Sequence, residues 1–149
     1  MSCDLDDPYD LSRFVQAQTL MYERALSEIK AGHKRSHWIW YIFPQIDGLA
    51  SSATSKYYAI KSVAEARAYL NHPVLGPRLL ECAEAVLGVE GRSATEIFGS
   101  PDDLKLQSSA TLFAWVTPLG SASDRLLAKY YQGARDGKTL QLLGCNSAT

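Results

Sequence analysis

Apolar residues recur every three or four positions along much of this chain, and no segment alternates convincingly between apolar and polar residues. The first and clearest stripe comprises Leu11, Phe14, Val15, Tyr22, Ala25, Leu26 and Ile29. Asp10 before it is a favoured helix N-cap, and Gly32 after it is a common stop. Because residues three and four apart share one face of a helix, whereas strands alternate, the pattern predicts a mainly α protein.

Start and stop signals divide the remaining chain into further helices. Capping boxes are predicted at Ser62 with Glu65 and at Ser93 with Glu96. The other predicted starts are Gly76-Pro77, Ser100-Pro101 followed by Asp102 and Asp103, and Ser123, while 139–143 fits a short helix or a strand. These signals predict a compact bundle of about five or six helices with one long ordered aromatic loop.

Length and charge restrict the organisation and the partners. A chain of 149 residues has room for one domain, so we expect a single domain over 1–149 with its core at about 7–143 and short flexible termini. The net charge of -1 disfavours binding of extended nucleic acid or of a membrane surface. The odd, widely spaced Cys3, Cys82 and Cys145 fit a reducing compartment, and we expect a cytoplasmic protein. The oligomeric state stays open.

Cofactor and metal motifs find little support in the sequence. The segment from Gly133 to Thr139 resembles a phosphate-binding loop but is one residue short between its glycines, and it follows a predicted helix where that loop needs a strand. A turn explains it better. We therefore predict no cofactor and no metal.

The strongest functional signal is the aperiodic segment from His33 to Thr54. A loop of about 20 residues in so small a domain is usually either functional or disordered, and its aromatic content argues against disorder. Basic residues directly precede its aromatic residues, a pattern suited to stacking or phosphate contact. The alternative is that these rings only close one end of the helical core. The predicted binding residues are Gln18, Arg35, His37, Trp38, Trp40, Gln45, Lys105 and Ser108, although Gln18 also fits a hydrogen-bonded core amide and Lys105 a solvated lysine.

Four blocks of this sequence resemble the domain of unknown function 1810 family, over nearly the whole chain from Asp7 to about Leu143. They are Asp7-Pro8-Tyr9-Asp10-Leu11 with Phe14, Val15, Ala17 and Gln18; 34–45; His72-Pro73 with Leu75-Gly76 and Arg78-Leu79; and Ile97-Phe98-Gly99 with Pro101-Asp102-Asp103, Lys105-Leu106 and Ser108-Ser109. Ala110 departs from the methionine expected there, which affects packing more than chemistry. The resemblance implies a small, mainly helical cytosolic protein of bacteria and fungi without a settled activity. Its eukaryotic members are associated with biogenesis of the elongation factor that delivers aminoacyl-tRNA, which implies a binding or chaperone-like module.

Two functional hypotheses remain open at this point. The first is an adaptor that holds a protein partner or a small nucleotide-like ligand at the loop around His37–Gln45. The second is a small glycosidase-like hydrolase acting on an ADP-ribose or nucleotide-derived substrate. In that enzyme His37 or an acid, Asp102 or Asp103, would be the general acid or base, a tryptophan would stack on a ring, and Lys105 or Arg35 would neutralise phosphate. Whether the chain is an enzyme at all is left undecided.

Overall fold

The computed structural model describes residues 7–147, with side chains through residue 144. Within that range the chain forms nine helices: α1 (Ser12–Lys30), α2 (Ile39–Ile42), α3 (Ala53–Tyr58), α4 (Val63–Asn71), α5 (Leu75–Leu87), α6 (Ala94–Phe98), α7 (Asp102–Trp115), α8 (Ala122–Tyr131) and α9 (Gly137–Ser147). An isolated parallel bridge joins Ile46 to Ile60. The prediction of flexible termini falls largely outside the described residues.

The mainly helical prediction is confirmed, but five or six helices is too few. Two of the additional helices, α2 and α3, lie at the aperiodic segment interpreted as a loop, and α9 is the helical alternative for 139–143. Helices of four and six residues are too short to show a 3.6-residue period, so their formation depends on tertiary contacts. Ile39, Tyr41 and Ile42 of α2 are buried, and the Ser52 side chain caps α3.

The first helix starts differently from the prediction. Asp10 does not cap α1 but adopts a left-handed backbone conformation with φ 53°. The carboxylate of Asp7 instead accepts hydrogen bonds from the backbone N–H of Leu11 at 2.7 Å and of Ser12 at 2.9 Å. Asp7 and Asp10 both carry a carboxylate that can cap a helix, so the path of the backbone determines which of them caps α1.

Three other predicted helix starts are displaced by one or two residues. Helix α5 begins at Leu75, before Gly76, with Nδ1 of His72 accepting from two backbone N–H groups. Pro101 precedes α7 as its N-cap residue and is not its first helical residue. Ser121, not Ser123, caps α8. The box at Ser93 and Glu96 is present as predicted.

The core is rich in aromatic side chains. Tyr69 is fully buried and makes ring contacts on two sides, at 5.1 Å to Phe14 and 5.4 Å to Phe113. Trp38 is 0% exposed, whereas Trp115 at the end of α7 is 42% exposed. Helix α1 packs against α2 and α5, and α7 packs against α8, α6 and α2, so α2 lies between α1 and α7.

Candidate functional site

Glu28 of α1 anchors the segment 33–38. Its carboxylate accepts four hydrogen bonds: from the backbone N–H of Arg35 and of Ser36, each at 2.9 Å, from the Ser36 hydroxyl at 2.7 Å, and from Trp38 Nε1 at 2.8 Å. Burial raises the pKa of Glu28, but these donors outweigh it and lower the pKa to about 2. Glu28 was not among the predicted site residues, because its place in the sequence marks it only as an acid of α1.

Asp102 at the start of α7 holds two lysines. Its Oδ2 lies 2.6 Å from Nζ of Lys34, and its Oδ1 lies 3.6 Å from Nζ of Lys105. The Lys34 side chain is 6% exposed, and its ammonium also donates to the Ser36 carbonyl at 2.6 Å. These contacts connect the segment 33–38 to α7, as Glu28 connects it to α1.

Each of the two lysines also lies over a tryptophan ring. Nζ of Lys34 is 5.0 Å from the ring centroid of Trp38, and Nζ of Lys105 is 5.2 Å from that of Trp40. Both distances are within the range of attractive cation–π contacts. Trp38 faces the core, so its ring cannot stack on a ligand in this conformation, whereas Trp40 is half-buried and adjoins the surface.

Gln18 is buried and has protein partners at both ends of its amide. The amide nitrogen donates to the Tyr41 carbonyl at 2.6 Å and to the Tyr69 hydroxyl at 3.1 Å. The amide oxygen accepts from the Arg78 guanidinium at 3.4 Å. This arrangement is that of a hydrogen-bonded core amide, the structural alternative stated for this residue.

A further predicted binding residue, Ser108, is also engaged within the protein. The Ser108 hydroxyl donates to the Leu104 carbonyl one turn earlier at 3.1 Å. Gln45 and Trp40 line a cavity of about 10 Å³, which is room for about one water molecule. Asp103 is held by α6, because its Oδ2 accepts from the Thr95 hydroxyl at 2.6 Å.

The side chains of Arg35 and His37 are exposed, while those of Trp40 and Lys105 are half-buried. We call these four residues the cationic–aromatic face. Lys34 and Lys105 both contact Asp102, so the segment that carries Arg35 and His37 is joined to the start of α7 at the residue that also pairs with Lys105. Of the predicted binding residues, Arg35 and His37 are exposed and Trp40, Gln45 and Lys105 are half-buried, while Gln18, Trp38 and Ser108 lie inside the protein.

Among the described side chains, no three His, Cys, Asp or Glu residues converge in a way that could hold a metal ion. None of the described helices is both long enough and apolar enough to cross a membrane.

Comparisons with known proteins identify relatives without an assigned activity. Residues 8–143 match the family model described as a protein of unknown function, DUF1810. A crystal structure of the conserved hypothetical protein Rv1873 from Mycobacterium tuberculosis is similar, with a TM-score of 0.91 and 54% sequence identity. The match covers 93% of this chain and 99% of that one. No curated protein matches the chain significantly.

Proposed function

The chain belongs to the DUF1810 family of proteins of unknown function, and from that premise we propose that it is an adaptor or chaperone-like binding protein. Its cationic–aromatic face would hold an acidic segment of a partner protein. The observation that carries the proposal is the position of Lys105, whose ammonium is 3.6 Å from Asp102 and 5.2 Å from the ring centroid of the half-buried Trp40. A cation and an aromatic surface are thereby fixed side by side.

Rigidity favours binding at this face. Lys34, Asp102 and Glu28 hold the segment from both sides before any partner arrives. Association costs less free energy when the contacting groups are ordered beforehand, since fewer side chains lose freedom on binding. Arg, Trp and Tyr are also the residues that contribute most at protein interfaces.

Local charge supports an acidic partner. Lys34 and Lys105 share the single carboxylate of Asp102, which leaves one positive charge in excess at that point. The Arg35 guanidinium makes no ion pair with any described residue, so its charge remains available at the surface. A local positive face on a chain of net charge -1 steers acidic partners to one place.

The dimensions next to Trp40 favour a protein segment over an ADP-ribose-like substrate. The cavity lined by Trp40 and Gln45 has a volume of about 10 Å³, whereas small-molecule sites usually measure about 300 to 1,000 Å³. An extended peptide needs no deep cavity, because it can lie across an exposed surface.

Fluorescence anisotropy with labelled peptides tests the proposal. The probe is a ten-residue peptide of alternating glutamate and leucine, and its control replaces glutamate with glutamine. We expect the acidic peptide to bind and its affinity to fall as salt rises from 50 to 300 mM, because salt screens exposed charges. Arg35→Glu should weaken binding by about fivefold or more, because it removes an exposed ion pair worth up to about 1 kcal/mol and adds a charge that repels the acidic peptide. Arg67→Glu, an exposed arginine of α4, is the matched control and should have no effect.

The possible outcomes separate the two hypotheses. Equal binding of both peptides, or equal loss in both arginine variants, would refute recognition by this face. A parallel thermal-shift measurement uses ADP-ribose. Stabilisation by ADP-ribose that His37→Ala abolishes, without peptide binding, would replace the adaptor proposal with the small-substrate hypothesis.

A further inference from the structure

A second concave site lies where the N-terminal segment meets α3 and the start of α4. It is a cleft of about 310 Å³ lined by Tyr9, Asp10, Arg13, Lys56, Tyr57, Lys61 and Glu65. The sequence analysis did not predict it, because its residues come from three separated segments that carry no common motif. Its volume is at the lower end of the range for small-ligand pockets.

Arg13 fixes the shape of this cleft. The guanidinium nitrogens donate to the carbonyls of Tyr9 at 2.7 Å and Asp10 at 2.8 Å on one wall. They also donate to the carbonyl of Tyr57 at 2.7 Å on the other wall, and to Oε2 of Glu65 at 2.8 Å below. The Arg13 and Glu65 side chains are only 6% and 2% exposed, so this ion pair forms a buried floor and the walls are held apart at a set width.

Aromatic rings and cations line the open part. Tyr57 is 55% exposed and Tyr9 is 36% exposed, which is high for large aromatic residues. Lys56 and Lys61 are both exposed. Nζ of Lys61 donates to the Lys56 carbonyl at 2.9 Å and lies 3.6 Å from Oδ1 of Asp47 in an exposed ion pair. The Arg13–Glu65 pair cancels its own charge and Lys61 pairs with Asp47, so Lys56 is the lining cation that pairs with no described carboxylate.

We propose that this cleft binds a nucleoside monophosphate, with the base against Tyr57 and Tyr9 and the phosphate against Lys56 and Lys61. Tyrosine rings accept the flat face of any base, which makes such a platform tolerant of base identity. The lysines supply the opposite charge for the phosphate, and the cleft volume suits one nucleotide better than a dinucleotide. This site is separate from the cationic–aromatic face and does not depend on the function proposed for that face.

Isothermal titration calorimetry tests this with AMP, GMP, CMP and UMP, together with adenosine and inorganic phosphate. We expect at least one monophosphate to bind more tightly than either adenosine or phosphate. Tyr57→Ala should lower that affinity by about tenfold, since base–aromatic stacking is substantial. Lys56→Ala should lower the affinity for the monophosphate but leave that for adenosine unchanged. Lys138→Ala, which removes an exposed lysine outside the cleft, is the matched control.

Two results would overturn the proposal. One is the absence of binding by all four monophosphates at millimolar concentration. The other is binding that neither Tyr57→Ala nor Lys56→Ala weakens. Both side chains are exposed, so far-ultraviolet circular dichroism of the variants should match that of the parent and exclude unfolding as the cause. Arg35→Glu should leave nucleotide binding unchanged, which keeps this test independent of the adaptor test.

Discussion

Removing the charge of Glu28 should release the segment 33–38 from α1 and destabilise the protein. The substitution Glu28→Gln preserves the shape of the side chain but replaces one acceptor oxygen by a donor group. Four hydrogen bonds converge on the carboxylate, from Arg35, Ser36 and Trp38. In the variant, some of these donors face an amide that cannot accept from them.

The size of the effect follows from the pKa of this group. Its ordinary value is 4.5, and the fold lowers it to about 2. At about 1.4 kcal/mol for each tenfold change in proton affinity, the charged form adds about 3 kcal/mol to the free energy of unfolding, an upper value for a partly exposed group. A depressed carboxyl pKa gives stability that is complete well above pH 4.5 and is lost as pH falls toward 2. About three-fifths of it should be gone at pH 3.

Urea unfolding followed by circular dichroism at pH 7, 5, 4 and 3 measures this difference. We expect Glu28→Gln to be less stable than the parent by about 2 to 3 kcal/mol at pH 7, with the gap closing to about 1 kcal/mol at pH 3. Glu23→Gln, at an exposed position of the same helix, is the matched control and should lie close to the parent throughout. A gap between parent and Glu28→Gln that stays constant from pH 7 to pH 3 would refute the assigned role of the charge.

Two further predictions concern packing and use the same unfolding assay at pH 7. Ser109 is 1% exposed and its hydroxyl has no hydrogen-bond partner, so Ser109→Ala should raise the free energy of unfolding by about 1 kcal/mol. Ser108→Ala is the control, because it removes a hydrogen bond and should not raise the free energy of unfolding. Destabilisation by Ser109→Ala would contradict this prediction. A Cβ at Gly76 would lie 2.1 Å from the Leu70 carbonyl oxygen, so Gly76→Ala should cost about 3 kcal/mol or more by forcing α4 and α5 apart. Gly137→Ala, where a Cβ meets nothing within 4 Å, serves as its control, and equal stability of the two glycine variants would refute the steric argument.

The longer helices could be predicted because each carries a repeated signal. Helix α1 spans 19 residues, and its buried positions include Phe14, Tyr22 and Ile29 from the predicted stripe. The exact starts were harder to predict, because Asp7 and Asp10, or Ser121 and Ser123, offer identical capping groups a few residues apart. The choice between them depends on the path of the backbone, which local sequence does not determine.

The candidate site was predictable only in outline. The density of basic and aromatic residues located the segment, but the exposure of each ring is set by contacts distant in sequence. Trp38 turns inward because Glu28 accepts its Nε1–H, while Trp40 stays near the surface under Lys105. No local sequence pattern predicted the cleft proposed to bind a nucleotide, because the partners of Arg13 in α3 and α4 are 44 and 52 residues away in the sequence.

The three tryptophans differ in their exposure, so intrinsic tryptophan fluorescence can report on binding to this protein. Trp38 is sealed inside and should emit at short wavelength, whereas Trp115 is 42% exposed and should be open to collisional quenching by acrylamide. Trp40 lies between these extremes and belongs to the cationic–aromatic face, where Nζ of Lys105 lies over its ring. With Trp115→Phe in place, acrylamide reaches mainly Trp40, so occupancy of the face can be followed in unlabelled protein as protection of a single indole.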